Sequence, residues 1–165
     1  MPSRIIALGF VLLLAAACAQ PTDFRVLSPN DYQSFVANWT PQERPFCAAF
    51  ESGSDWTAVM HPAPTQMSRS FAPPDEFWRA HAVLLLARVV NSGDASHVFR
   101  VNRVERGLHA IDVDYTFTPT PAATSTMKWY LAIEVAKPLP RTIRFREAGQ
   151  VTCEISAPSA HSDGE

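Results

Sequence analysis

Apolar side chains recur on every second residue from Met127 to Ala136. Met127, Trp129, Leu131, Ile133 and Val135 alternate with Lys128, Tyr130, Ala132, Glu134 and Ala136. Successive side chains of an extended chain point to opposite sides of a sheet, so this period of two predicts a strand with one buried face. It is the longest regular pattern of its kind in the chain, and it is the expected centre of a sheet. Val83–Val90 differs: it is apolar at nearly every position and bounded by turn residues, which predicts a strand covered on both faces.

Val98–Val104 and His109–Phe117 flank the turn Glu105–Gly107, whose glycine sits where a hairpin needs a positive φ. In the second arm Ile111, Val113, Tyr115 and Phe117 alternate with Asp112, Asp114 and Thr116. Ile143 and Phe145 alternate with Arg144 and Arg146, and Val151, Cys153 and Ile155 share one face of a final strand. His109–Phe117 and Thr142–Arg146 are the expected partners of the central strand.

The clearest helix signal follows the N-terminal region. Ser28 offers a hydroxyl N-cap, Pro29 a preset first position and Asp31 a first-turn carboxylate, and Tyr32, Phe35, Val36 and Trp39 follow at helical spacing. Thr40–Pro41 ends it, so the pattern predicts a helix near residues 29–38. Phe46–Phe50 is a short apolar run, and Trp56–Met60 suits either a strand or a helical turn. His61–Pro74 holds four prolines and reads as a surface loop, and Pro74–Trp78 opens a helical turn. The expected class is therefore mostly β (β-rich α+β): an antiparallel sheet or sandwich of about six to eight strands with one short N-terminal helix packed on it.

The N-terminus sets the compartment. Arg4 precedes the apolar run Ile5–Ala17, which ends in small residues and is shorter than the about 20 residues of a membrane span. Residues 1–17 thus read as a signal peptide. Leu14–Cys18 resembles a lipobox, although Ala15 stands where leucine is usual, and it makes Cys18 the lipidated first residue. Ala17–Ala19 also serves as an ordinary A-x-A site, which would leave a soluble exported protein. Residues 18–27 read as a tether, 28–155 as one domain and 156–165 as a disordered tail.

With lipid on Cys18, Cys47 and Cys153 remain as a candidate disulfide, the alternative being two buried free thiols. Loss of Arg4 with the signal leaves 13 basic and 16 acidic side chains. A mildly acidic chain without basic clusters argues against a nucleic-acid partner.

Candidate chemistry is sparse. Ser125–Lys128 matches S-x-x-K, but the motif runs straight into a strand and not along a helix, so serine and lysine part company. Met60, His61 and Met67 are soft ligands suited to Cu(I), yet a proline-rich loop holding them is commonplace without metal. His81, His97 and His109 lie in separate elements without ligand spacing. Asp112, Asp114 and Glu134 form an apparent carboxylate cluster, for which pairing with Arg100, Arg144 and Arg146 across a sheet is the simpler account. Catalytic residues, cofactor and metal are all expected to be absent.

From Asp55 onward the order of features resembles the C-terminal domain of the PrcB-like, protease-complex-stabilising lipoproteins. The matching segments are Asp55–Trp56, Asp75–Phe77, the strand Val83–Val90, Phe99–Val104, the strand to Tyr115, Thr126–Val135 and Ile143–Phe145, within about residues 55–147. A turn of the Gly-Gly-Tyr kind is replaced here by Gly93–Val98. The resemblance implies a small, non-enzymatic, exported, mostly β domain that holds another protein together. The expectation is therefore an exported, membrane-anchored lipoprotein facing the periplasm or cell surface, whose partner is another envelope protein. Its contact surface is the hairpin tips and the loop carrying His61, Met67 and Phe71. The alternative is a binder of a small apolar ligand in an incompletely filled β core.

Overall fold

Two eleven-residue strands, His81–Asn91 and Thr126–Ala136, lie antiparallel side by side, with His81 opposite Ala136 and Asn91 opposite Thr126. In the computed structural model the described residues are 19–28, 31–32, 34–37, 39, 45–62, 71–91, 97–118 and 126–156. In chain order the strands begin with β1 (Gln20–Pro21), β2 (Phe24–Leu27), β3 (Ser34–Val36) and β4 (Phe46–Phe50). Helix α1 (Gly53–Val59) runs into β5 (Met60–Pro62), and a 3₁₀ turn at Phe77–Arg79 precedes β6 (His81–Asn91). The hairpin of β7 (Phe99–Arg106) and β8 (Ala110–Phe117) leads to β9 (Thr126–Ala136). The chain then forms β10 (Thr142–Glu147) and β11 (Gln150–Ser156).

These strands make a four-stranded sheet in the order β2-β9-β6-β4, a five-stranded sheet β1-β7-β8-β10-β11, and a ribbon β3-β5. The four-stranded sheet is the middle of three layers. On one face Leu84 and Leu86 of β6 and Leu131, Ile133 and Val135 of β9 pack against Val104, Ile111, Val113, Ile143 and Phe145 of the five-stranded sheet. On the other, Val83, Leu85, Tyr130 and Ala132 are covered by Val36, Trp39, Trp56, Met60 and Trp78. Burial of each large apolar side chain contributes about 1.5–3 kcal/mol, which is why β6, wrapped on both sides, shows no alternation. Cys47 of β4 and Cys153 of β11 form a disulfide with 6.2 Å between Cα atoms, tying the edges of the two sheets.

The β-rich class and the role of β6 agree with expectation, but several details differ. The central strand β9 pairs with β6 and β2, not with β8 and β10, which lie in the facing sheet. The β8–β10 pair is parallel, because the chain crosses to the other sheet as β9 between them. Trp129 is only partly buried, at the rim where Val90 and Val98 pack. Gly107 does not take a positive φ: its N–H bonds Ala110 O at 2.8 Å, and the positive angles among the described residues are at Ala148 and Gly149.

The helix expected at 29–38 does not form. Asp31 accepts from the Ser28 N–H at 3.0 Å and its own N–H bonds Ser28 O at 2.9 Å, so the capping signal closes one turn. Ser34–Val36 then pairs with Met60–Pro62 as a ribbon. A helix of that length is marginal alone, and strand pairing satisfies the same backbone while burying Val36 to 1 % exposure. Phe35, turned to the opposite side, remains 42 % exposed. The helix that does form, α1, carries its own box: Ser52 Oγ accepts from Asp55 N–H at 3.1 Å, with Asp55 in the first turn.

The tether expected over 18–27 is also overturned from Gln20 onward. Gln20 and Pro21 pair with Arg106 and Glu105, and Phe24–Leu27 pairs with Val135–Ala132. In this short strand Leu27 is the buried side chain, while Phe24 and Val26, on the other face, stay exposed. Residues 1–17 and 157–165 lie outside the described residues.

Candidate functional site

The outer layer is organised by two indoles. Trp56, fully buried on α1, packs edge-on against Phe50 at 5.4 Å and Tyr32 at 6.0 Å, with Trp78 at 6.4 Å. Its Nε1–H donates to Phe71 O at 2.8 Å, and Trp78 Nε1–H donates to Pro73 O at 3.1 Å. These bonds satisfy both indole donors, which burial demands, and they pin the chain where it returns from the proline-rich loop. Where the loop departs, β5 is pinned by pairing with β3. Lys137, just beyond β9, adds a clamp from below: its Nζ donates to Glu51 O at 2.6 Å and Trp78 O at 2.8 Å.

The residues predicted for this loop separate. His61 is exposed on β5, with its ring 6.1 Å from that of the exposed Phe35. Phe71 is half-buried, and its carbonyl is the acceptor for Trp56. Met67 and Cys18 lie outside the described residues. Met60 is fully buried in the core, on the opposite side of β5 from His61, so the two cannot share a copper ion. Among the described residues no group of three or more His, Cys, Asp or Glu is placed to hold a metal ion.

The outer face of the five-stranded sheet carries an ionic ladder over a groove of about 710 Å³ lined in part by Asn102, Arg103, Glu105, Asp112, Asp114 and Arg146. Asp112 accepts from Arg146 Nε at 2.6 Å and faces Arg144 at 3.8 Å. Asp114 accepts from Arg103 at 2.9 Å, and Arg103 also reaches Glu105 at 3.0 Å. The bond to Asp114 raises the Arg103 guanidinium above its ordinary pKa, and the bond to Asp112 does the same for Arg146. Arg144 and Arg146 are the expected partners, but Arg103 replaces Arg100. The register shifts between Val101 and Arg103, and this bulge moves Arg103 opposite Asp114. Exposed pairs of this kind contribute little individually.

Glu134 belongs to a different surface, so the three carboxylates do not converge. It accepts from Arg25 Nε at 2.6 Å and lies 3.5 Å from His81 Nε2, in a smaller groove of about 390 Å³. The bond from Glu134 raises the pKa of Arg25. Unlike these pairs within one sheet, Arg88 reaches across from β6 to β10: it donates to Glu147 at 2.6 Å while its guanidinium lies 3.9 Å above the Phe117 ring, a pairing that no local pattern marks. Beside it Tyr115 OH is 3.0 Å from Thr152 Oγ1, and burial pushes the phenol above its usual pKa. Of the S-x-x-K motif, Ser125 lies outside the described residues, and Lys128 Nζ sits 5.7 Å from the Trp39 ring centre.

No protein-family model, curated protein or solved structure matches this chain. What the molecule does has to be read from its own surfaces. The ladder and the Glu134 groove hold their carboxylates against arginines, whereas Phe35 and His61 present unsatisfied aromatic surface beside two fixed loop roots.

Proposed function

We propose that this chain is an exported, lipid-anchored, non-enzymatic domain of the bacterial cell envelope that binds and stabilises another protein. The observation that carries the reading is the pinning of both roots of residues 63–70 beside the exposed Phe35–His61 pair. Exposed aromatics held on a rigid scaffold bind with less ordering cost and supply contact area. The signal segment and Cys18 support export and anchoring, and the Cys47–Cys153 bridge suits an oxidising compartment. The PrcB-like order of features over residues 55–147 supports the same class of activity. The surface on offer is compatible with one envelope protein as partner, with no nucleic acid and no cofactor called for.

A photo-crosslinking amino acid placed at His61 in living cells tests this. One dominant adduct with an envelope protein is expected at His61, and none at Thr116 on the ladder face. Absence of adducts at His61, or the same adducts at both positions, contradicts the proposal.

A further inference from the structure

We infer that the β7–β8 hairpin tip, Gly107–His109, is the membrane-facing end of the domain and seats Leu108 in the bilayer surface. This rests on the proposed lipid at Cys18 and adds an orientation to it. Strand β1 is antiparallel to β7, with Pro21 opposite Glu105 and Gln20 opposite Arg106. Thr22 N–H bonds Val104 O at 3.0 Å and continues the pairing. Each step from Thr22 toward the N-terminus therefore moves toward the hairpin tip. Cys18 is two residues before Gln20, and two residues span at most about 7 Å. A lipid on Cys18 must leave the fold beside Gly107–His109, with almost no slack.

The chemistry of that end suits a bilayer surface. Leu108 is 74 % exposed, more than any other large apolar residue among those described. The turn beneath it is held by the Gly107–Ala110 bond at 2.8 Å, so the side chain is displayed from a fixed base. Thr142 N–H bonds His109 O at 3.1 Å, which brings the exposed Arg141 alongside. Arg106 is held here by the carbonyls of Ala136 and Pro138, its charge uncompensated by them. The nearest carboxylate on β7, Glu105, is engaged by Arg103. An apolar tip flanked by two arginines, Arg141 and Arg106, is complementary to anionic headgroups over acyl chains. The turn at Ala148–Gly149 lies at the other end of β10 and faces away from the membrane in this orientation.

The lipidated protein, reconstituted in phosphatidylethanolamine–phosphatidylglycerol vesicles, decides the matter. Leu108→Cys and Gln150→Cys are each labelled with an environment-sensitive fluorophore. The introduced thiol is the free one, since Cys47 and Cys153 are bridged and Cys18 carries the lipid. The label at position 108 is expected to shift its emission to shorter wavelength and escape aqueous iodide quenching, while the label at position 150 stays quenchable. Intact mass of the same sample reports the lipid. Lipid present with both labels quenchable, or both protected, overturns the orientation and leaves the anchor standing. Lipid absent from Cys18 overturns the anchor and the orientation together.

Discussion

Replacing Cys47 and Cys153 together by alanine lowers the unfolding free energy by about 4–5 kcal/mol, the chain-entropy cost of opening a loop of this length. The bridge spans 106 residues and joins β4 to β11, the edge strands of the two sheets on one flank of the sandwich. The opposite flank is crossed by the chain itself, where Thr22 and Asp23 carry β1 of one sheet into β2 of the other. Without the bridge, β11 keeps its pairing with β10, the packing of Ile155 on the core and the Tyr115–Thr152 contact, while its surface is otherwise largely open: Val151 is 45 % exposed. Loss of protection should therefore begin in β11. Urea denaturation of the double variant, with amide exchange along β10 and β11, measures both effects. A loss under about 1 kcal/mol would mean that other contacts hold that flank.

Trp56→Ala should cost about 3–5 kcal/mol, because a fully buried indole leaves a cavity its neighbours cannot close. Phe50, Tyr32 and Trp78 all lean on that ring, so the loss is shared by α1, β4 and the segment before β3. Phe71 O also loses its donor, releasing one root of the proline-rich loop. Trp56→Phe separates the two effects: most of the packing stays, and the missing hydrogen bond costs about 1–3 kcal/mol if the carbonyl remains buried. Denaturation midpoints give the stability terms. A near-zero cost for Trp56→Ala would show that the outer layer is centred elsewhere.

Both strands at the centre of the fold are legible from side-chain periodicity alone. The continuous apolar run of β6 announces two covered faces, and the alternation of β9 announces its inner face of Leu131, Ile133 and Val135. What the alternation hides is that Tyr130 and Ala132 are also covered, since tyrosine and alanine fit a wet face as readily as a dry one. Strand partners are harder. Neighbours in sequence are the natural choice, but β9 crosses between sheets, and long-range pairing leaves no local mark. The two capping signals teach the same lesson. Ser52–Asp55 opens a helix and Ser28–Asp31 closes only a turn, because Met60–Pro62 offers Ser34–Val36 a better use for its backbone.

The surfaces divide in a similar way. Cysteine parity points to Cys47–Cys153, and alternation of charge points to Asp112 with Arg144 and Arg146, both seen in the fold. The bulge that substitutes Arg103 for Arg100 depends on backbone geometry with no glycine to announce it. His61 and Met60 look like neighbours in a ligand set, yet a strand sends them to opposite sides. Arg25, His81 and Glu134 come from three distant strands, so only the folded sheet assembles them.

As proposed, the domain is exported, hung from Cys18 and stapled by the Cys47–Cys153 disulfide. Intact mass of the mature protein, purified from membranes without reductant, tests this most directly. The mature protein is expected to begin at a lipid-bearing Cys18 and to be lighter by two hydrogens than its fully reduced form. A chain retaining residues 1–17, one lacking the lipid, or one with Cys47 and Cys153 as free thiols would contradict this.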